Sequence, residues 1–74
     1  MSILSWNCRG LGTPAIVREV RELTNKNAPV VLCLLETQIQ KARAEILCQS
    51  FGFDSVYAVS SLGRSGGLVM FWNK

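Results

Sequence analysis

Apolar positions follow two different periods along this chain. A short run, Ile3-Leu4-Ser5-Trp6, and an unbroken one, Val30-Val31-Leu32-Cys33-Leu34-Leu35, have the length of strands, and the second opens on β-branched residues. The second run has no polar gap, which predicts a strand buried on both faces. Between the two, Ile16, Val20 and Leu23 recur at helical spacing with Val17 beside them, while Arg18, Glu19, Arg21 and Glu22 fall mainly on the other side. Thr13 is suited to cap this helix and Pro14 to open it, and Asn27 and Pro29 to end it. The unit reads as strand, helix, strand, and a right-handed crossover makes its two strands parallel.

Downstream, Ala44, Leu47, Cys48 and Phe51 stand at i, i+3, i+4 and i+7 and predict a second amphipathic helix ended by Gly52. Thr37 and Gln40 precede it in capping-box spacing. Phe53 to Val59 alternates loosely as a strand. Leu62-Gly63-Arg64-Ser65-Gly66-Gly67 is a turn, and Leu68-Val69-Met70-Phe71-Trp72 is a further strand, so the last two strands read as a hairpin. The order β-α-β-α-β-β, without repeats or linkers, gives an α+β fold over residues 1–74.

The final strand is apolar at five successive positions, so it asks for pairing on both edges and cover on both faces. It falls two residues before Lys74, which points to a truncated domain. An apolar fraction of 49% agrees, because a domain this small buries only about 60% of its unfolded surface. With one face and one edge lacking partners, Leu68 to Trp72 is expected to drive self-association. A charge such as Val69→Lys is the expected remedy.

The net charge of +3 is a mild lean towards polyanions. Cys8, Cys33 and Cys48 form no C-x-x-C pair, and the chain has no histidine to complete a zinc site. They read as reduced thiols, Cys33 and Cys48 in the core, which fits an intracellular compartment, nucleus or cytoplasm. Neither a signal-peptide core nor a run approaching ~20 apolar residues is visible, so no membrane role is expected.

In parallel sheets, ligands bind beyond the carboxyl ends of the strands. Asn7 and Glu36 end the two parallel runs and should share one rim, an amide oxygen beside a carboxylate. That pair suits Mg²⁺, a hard cation bound through one or two carboxylates plus substrate phosphate. Alternatively, Asn7 bonds local backbone and Glu36 is a strand-end acid facing water. Gly10-Leu11-Gly12-Thr13-Pro14-Ala15 also matches G-x-G-x-x-A, with Glu36 where a dinucleotide fold puts its ribose-binding acid. A third reading is a non-catalytic nucleic-acid-binding module using Arg9, Arg18, Arg21 and Arg64 on phosphates. The absence of histidine excludes Ser-His-Asp and Cys-His catalysis.

Three ordered blocks carry a more specific likeness. Ser5-Trp6-Asn7-Cys8-Arg9-Gly10-Leu11-Gly12, then Leu34-Leu35-Glu36-Thr37-Gln38, then Gly63-Arg64-Ser65-Gly66-Gly67-Leu68 with Trp72 resemble the start of an endonuclease/exonuclease/phosphatase domain. Within that family they look like the apurinic-endonuclease-like domain of plant LINE-type non-LTR retrotransposons. The resemblance implies a partial DNase I-like αββα sandwich, about a third of a domain of ~200–250 residues. It implies Mg²⁺-dependent phosphodiester cleavage of DNA by the complete domain. Glu36 then falls on a metal ligand and Asn7 on a residue organising the metal network. Arg9 stands where some members have an acid, and Gln38 where Lys or His is common. The family's later motifs, a paired Asp and Asn and a terminal Asp-His, are absent, and Asp54 matches neither. Cleavage needs a positioned water, its base and charge stabilisation, so this chain alone is expected not to cut.

Overall fold

The computed structural model of the chain describes residues 2–59 and 66–74. Arg64 and the turn residues 62–65 lie outside the described residues. The elements are β1 (Ile3–Asn7), α1 (Pro14–Asn27), β2 (Val31–Leu35), α2 (Lys41–Ser50), β3 (Ser55–Val59) and β4 (Leu68–Trp72). They form one four-stranded sheet in the order β1-β2-β4-β3. β1 and β2 are parallel, as the crossover rule requires, and β4 runs antiparallel to both β2 and β3.

Local chemistry explains the ends of α1. Thr13 has extended backbone, and its hydroxyl accepts a hydrogen bond from the Ile16 amide, while Pro14 takes the first turn. Ala28 closes the helix in the left-handed region, its amide donating to the Thr24 carbonyl at 2.8 Å. The buried stripe of α1 is Val17, Val20 and Thr24, rather than one running through Ile16 and Leu23. Thr24 satisfies its own hydroxyl by donating to the Val20 carbonyl at 2.9 Å, so it enters the core without an unpaired polar atom.

α2 buries Ala44, Leu47 and Cys48, with Phe51 just beyond its end, as the spacing predicts. Its start does not follow prediction. Gln40 occupies the N-cap without a side-chain bond, and Thr37 is fully buried three residues earlier, so no capping box forms. β3 also begins later than expected. The Phe53 amide donates to the Cys48 carbonyl at 3.0 Å, which ties Phe53 to the end of α2 and sends its ring into the core.

Both helices contribute to a single core cluster with one face of the sheet, to which Leu32, Leu34, Val69 and Phe71 point. Among the described residues no helix or strand covers the opposite face. Burial alternates along β2 and β4 even though their sequences do not. The expectation that the Val30 to Leu35 run is covered on both faces is therefore corrected: among the described residues helices lie on one side of the sheet alone, and alternate residues are covered. The expectation of an unpaired edge on Leu68–Trp72 is corrected too, because β4 is an inner strand bonded to β2 and β3. On its other face Leu68, Met70 and Trp72 are half-buried.

Two residues change sides as a result. Val69 is 1% exposed and points into the core, so a lysine there would bury a charge rather than relieve association. The open-face position beside it is Met70. Cys33, expected in the core, is half-buried on the open face, while Cys8, which the sequence left in a turn, is buried with Cys48. No helix among the described residues is long and apolar enough to cross a membrane.

Candidate functional site

Asn7 is the last residue of β1 and pairs with Leu35, the last of β2, so Glu36 follows at the same rim of the sheet. Backbone pairing continues past the strand ends. The Cys8 amide donates to the Leu35 carbonyl at 3.1 Å, Gly10 to Glu36 at 2.8 Å, and Leu11 to Thr37 at 2.7 Å. On the other flank, the Thr37 amide donates to Gly67 at 3.3 Å and the Gln38 amide to Gly66 at 3.0 Å. Three loops, following β1, following β2 and preceding β4, are thus stitched side by side.

That stitching forces unusual backbone. Arg9, Gly10, Glu36, Gln38, Gly66 and Gly67 all have positive φ, six of the eight such residues among those described. Three of the six carry side chains, and each costs about 1–2 kcal/mol in this region. Concentration of strain at one rim is a mark of functional sites. It also aims side chains: Glu36 at φ 52 and Gln38 at φ 56 flank Thr37, so Thr37 points inward and its neighbours outward. Thr37 Oγ1 is buried without a hydrogen-bond partner, closely packed on Gly67.

Asn7 and Glu36 are both exposed. Among the described residues no hydrogen bond or ion pair engages either side chain, so Asn7 is not bonding local backbone. The Gln38 side chain lies over Gly10, where an added Cβ would meet its Oε1 at 3.4 Å. Arg9 is exposed in the β1–α1 turn. Arg18 and Arg21 are instead on α1, where Arg21 donates to the Ser50 hydroxyl of α2. Two amides of the glycine motif that the dinucleotide reading rests on are already engaged, since Gly10 and Leu11 donate to carbonyls.

Asp54 stands at the other rim. Its Oδ1 accepts from the Ser55 hydroxyl at 2.9 Å and the Lys74 amide at 3.1 Å, and its amide donates to Asn73. The five residues of β3 put it roughly 17 Å from the Asn7 rim, so it fastens strand ends and takes no part in the site. Among the described residues no group of three or more His, Cys, Asp or Glu could hold a metal ion.

Cys8 lies between the rim and the core, its thiol donating to the Leu35 carbonyl at 3.4 Å. Burial raises its pKa, with nearby Glu36 adding a smaller push, and burial raises that of Cys48, with Asp54 behind it. Both thiols stay neutral in the fold above their ordinary pKa of 9.0. Because the folded values are raised, this stability is fully present below pH 9.0 and is lost as pH rises from there towards the folded values. At pH 8, alkylation followed by mass spectrometry is expected to label Cys33 first and Cys8 and Cys48 only on unfolding.

The spacing places Asn7 and Glu36 at one rim, where the structure has them, but it suggests a helix cap for Thr37 and a turn residue for Leu11; both are fully buried. The glycine pair preceding β4 was the available signal, since two adjacent glycines beside a strand often mark close backbone approach.

No protein-family model matches the sequence, and no curated protein matches it. Among solved structures, an AP endonuclease from Archaeoglobus fulgidus superposes with a TM-score of 0.73 at 22% sequence identity. The match covers 96% of this chain and 27% of that protein, so the chain spans about a quarter of its length. At this identity the likeness establishes the fold, which is part of a DNase I-like α+β architecture.

Proposed function

We propose that the chain is the amino-terminal segment of a Mg²⁺-dependent phosphodiesterase domain, an endonuclease of retrotransposon type acting on DNA, and that it does not cut by itself. The observation that carries this reading is the common rim of Asn7 and Glu36 in a fold that follows part of an AP endonuclease.

The donor set fits a weakly held, substrate-completed Mg²⁺. One carboxylate and one amide oxygen supply two hard ligands, and Mg²⁺ ordinarily keeps waters and takes phosphate oxygens for the rest. When bound, the ion would polarise a phosphoryl oxygen. The chain's own residues hold and orient: Glu36 brings the charge, Asn7 the neighbouring oxygen, and the left-handed backbone at Glu36 turns its side chain outward. Arg9 has the exposure and charge to meet a phosphate from the same rim. A general base and further carboxylates must come from outside these residues, because Asp54 faces away and the remaining acids are on the helices.

The test uses the chain with Mn²⁺ as a paramagnetic substitute for Mg²⁺. Amide and side-chain NMR signals of Asn7, Glu36 and Gln38 should broaden first, and Glu36→Gln should abolish the effect without altering the melting transition. Nicking of supercoiled or abasic-site DNA should stay at background in Mg²⁺. Broadening centred elsewhere would show the rim assignment to be wrong, and nicking that Glu36→Gln abolishes would show that the chain does cut by itself.

A further inference from the structure

Thr37 stands apart from its neighbours at the rim. It is fully buried, yet its hydroxyl oxygen has no hydrogen-bond partner. Its main chain is held from both sides: the amide donates to the Gly67 carbonyl at 3.3 Å, and the carbonyl accepts from the Leu11 amide at 2.7 Å. The residues before and after it, Glu36 and Gln38, have left-handed backbone at φ 52 and φ 56. Both are exposed.

We propose that Thr37 is a positioning residue for Glu36, a buried peg whose fit against Gly67 keeps the Glu36 backbone left-handed and its carboxylate on the Asn7 rim. The proposal rests on the reading of Glu36 as the metal-bearing residue. Left-handed backbone is unfavourable for any residue with a Cβ, so two such residues in three persist only where their surroundings over-determine them. A return of Glu36 to negative φ would redirect the chain entering Thr37 and withdraw its side chain from Gly67. Burial of Thr37 is therefore coupled to the direction in which Glu36 points.

Shape rather than polarity carries the fit. A Cβ on Gly67 would lie 2.5 Å from Thr37 Oγ1, so the oxygen rests against a bare glycine Cα and not against a donor. A buried polar atom without a partner is unfavourable, and an apolar group of the same outline should serve better. Gly67 directly precedes β4. The two candidate ligands thus end β1 and follow β2, while the residue that braces one of them comes from a third segment and is not a ligand.

Two readouts test the proposal, one of them free of metal. A strong NOE between a residue's own amide and Hα protons marks positive φ, and Glu36 and Gln38 should show it in the native chain. Thr37→Val keeps the outline and should preserve both NOEs and the Mn²⁺ affinity while raising the melting temperature. Thr37→Ala removes the peg and should weaken both NOEs and reduce Mn²⁺ affinity about 10- to 100-fold. Phe71→Leu is the control for stability lost in the core: its melting temperature should fall with NOEs and Mn²⁺ affinity intact. All binding is measured well below each variant's melting transition. Native Mn²⁺ affinity in Thr37→Ala, or an equal loss in Phe71→Leu, overturns the proposal. So does a loss of the NOEs or of affinity in Thr37→Val, which would give the role to the hydroxyl. If the native chain binds no Mn²⁺ at the rim, the metal reading of Glu36 fails, and the NOEs alone still decide whether Thr37 sets the Glu36 backbone.

Discussion

Gly67→Ala is expected to destabilise the chain by roughly 2–5 kcal/mol, a large share of the stability of a chain this small. Two separate costs combine. Gly67 has φ +97, a region in which a residue with a Cβ loses about 1–2 kcal/mol. The new Cβ would also lie 2.5 Å from Thr37 Oγ1 and 3.0 Å from the Gln38 amide nitrogen, and overpacking of this kind costs about 1–3 kcal/mol. Thr37 has little room to yield because it is fully buried and its backbone bonds Gly67. Gly66 provides the control. It shares the positive φ but has nothing within 4 Å of an added Cβ, so Gly66→Ala should cost only the backbone part, about 1–2 kcal/mol. Urea denaturation of the two variants measures the difference. In the double variant Gly67→Ala with Thr37→Ala, the steric part should return and the φ part should not. Equal losses at the two glycines would mean that the loops are not packed as described.

Phe71→Ala is the other large effect. Phe71 is fully buried in an inner strand, with its ring edge-on to Phe51 at 5.7 Å and stacked with Phe53 at 5.8 Å. Truncating a buried phenylalanine costs about 3–5 kcal/mol, because the cavity adds to the lost transfer energy. At ~0.05–0.15 kcal/mol per residue, the whole chain is stable by only about 4–11 kcal/mol. The alanine variant should thus lose its cooperative thermal transition or show a melting point well below that of the native chain. Phe71→Leu keeps most of the volume and should cost under about 1.5 kcal/mol. A cooperative, near-native melt for Phe71→Ala would show that the aromatic cluster is not the centre of the core.

These two positions mark how far the sequence could be read. Element order, the parallel first pair and the buried stripe of α2 follow from periodicity, because each element repeats its own pattern several times. The shared rim of Asn7 and Glu36 follows from crossover handedness, a rule that needs no side-chain detail. Burial on the sheet was not legible in the same way. Val31, Cys33 and Leu35 are as apolar as Leu32 and Leu34, so composition could not say which set faces the helices; only the register with Val69 and Phe71 decides. Thr37 was misread because its spacing to Gln40 imitates a cap, whereas pairing with the Gly66-Gly67 segment pulls it inward. That contact joins residues thirty positions apart, beyond the reach of any local pattern.

The strand order has a consequence for how the chain reaches its native state. β4 is the last strand in sequence and lies between β2 and β3, which touch no other common neighbour. Until residues 68–72 have left the ribosome, β3 has no strand to pair with, and Phe51 and Phe53 have no Phe71 to close over them. At ~5–20 residues per second of synthesis, a nascent chain waits in that condition on the timescale of a second, with two phenylalanines in water. Pairing of β3 therefore waits for a central strand rather than an outer one, a late, non-local closure of the kind that slows folding. A strand at the margin can arrive late and leave a usable sheet behind it; a keystone cannot.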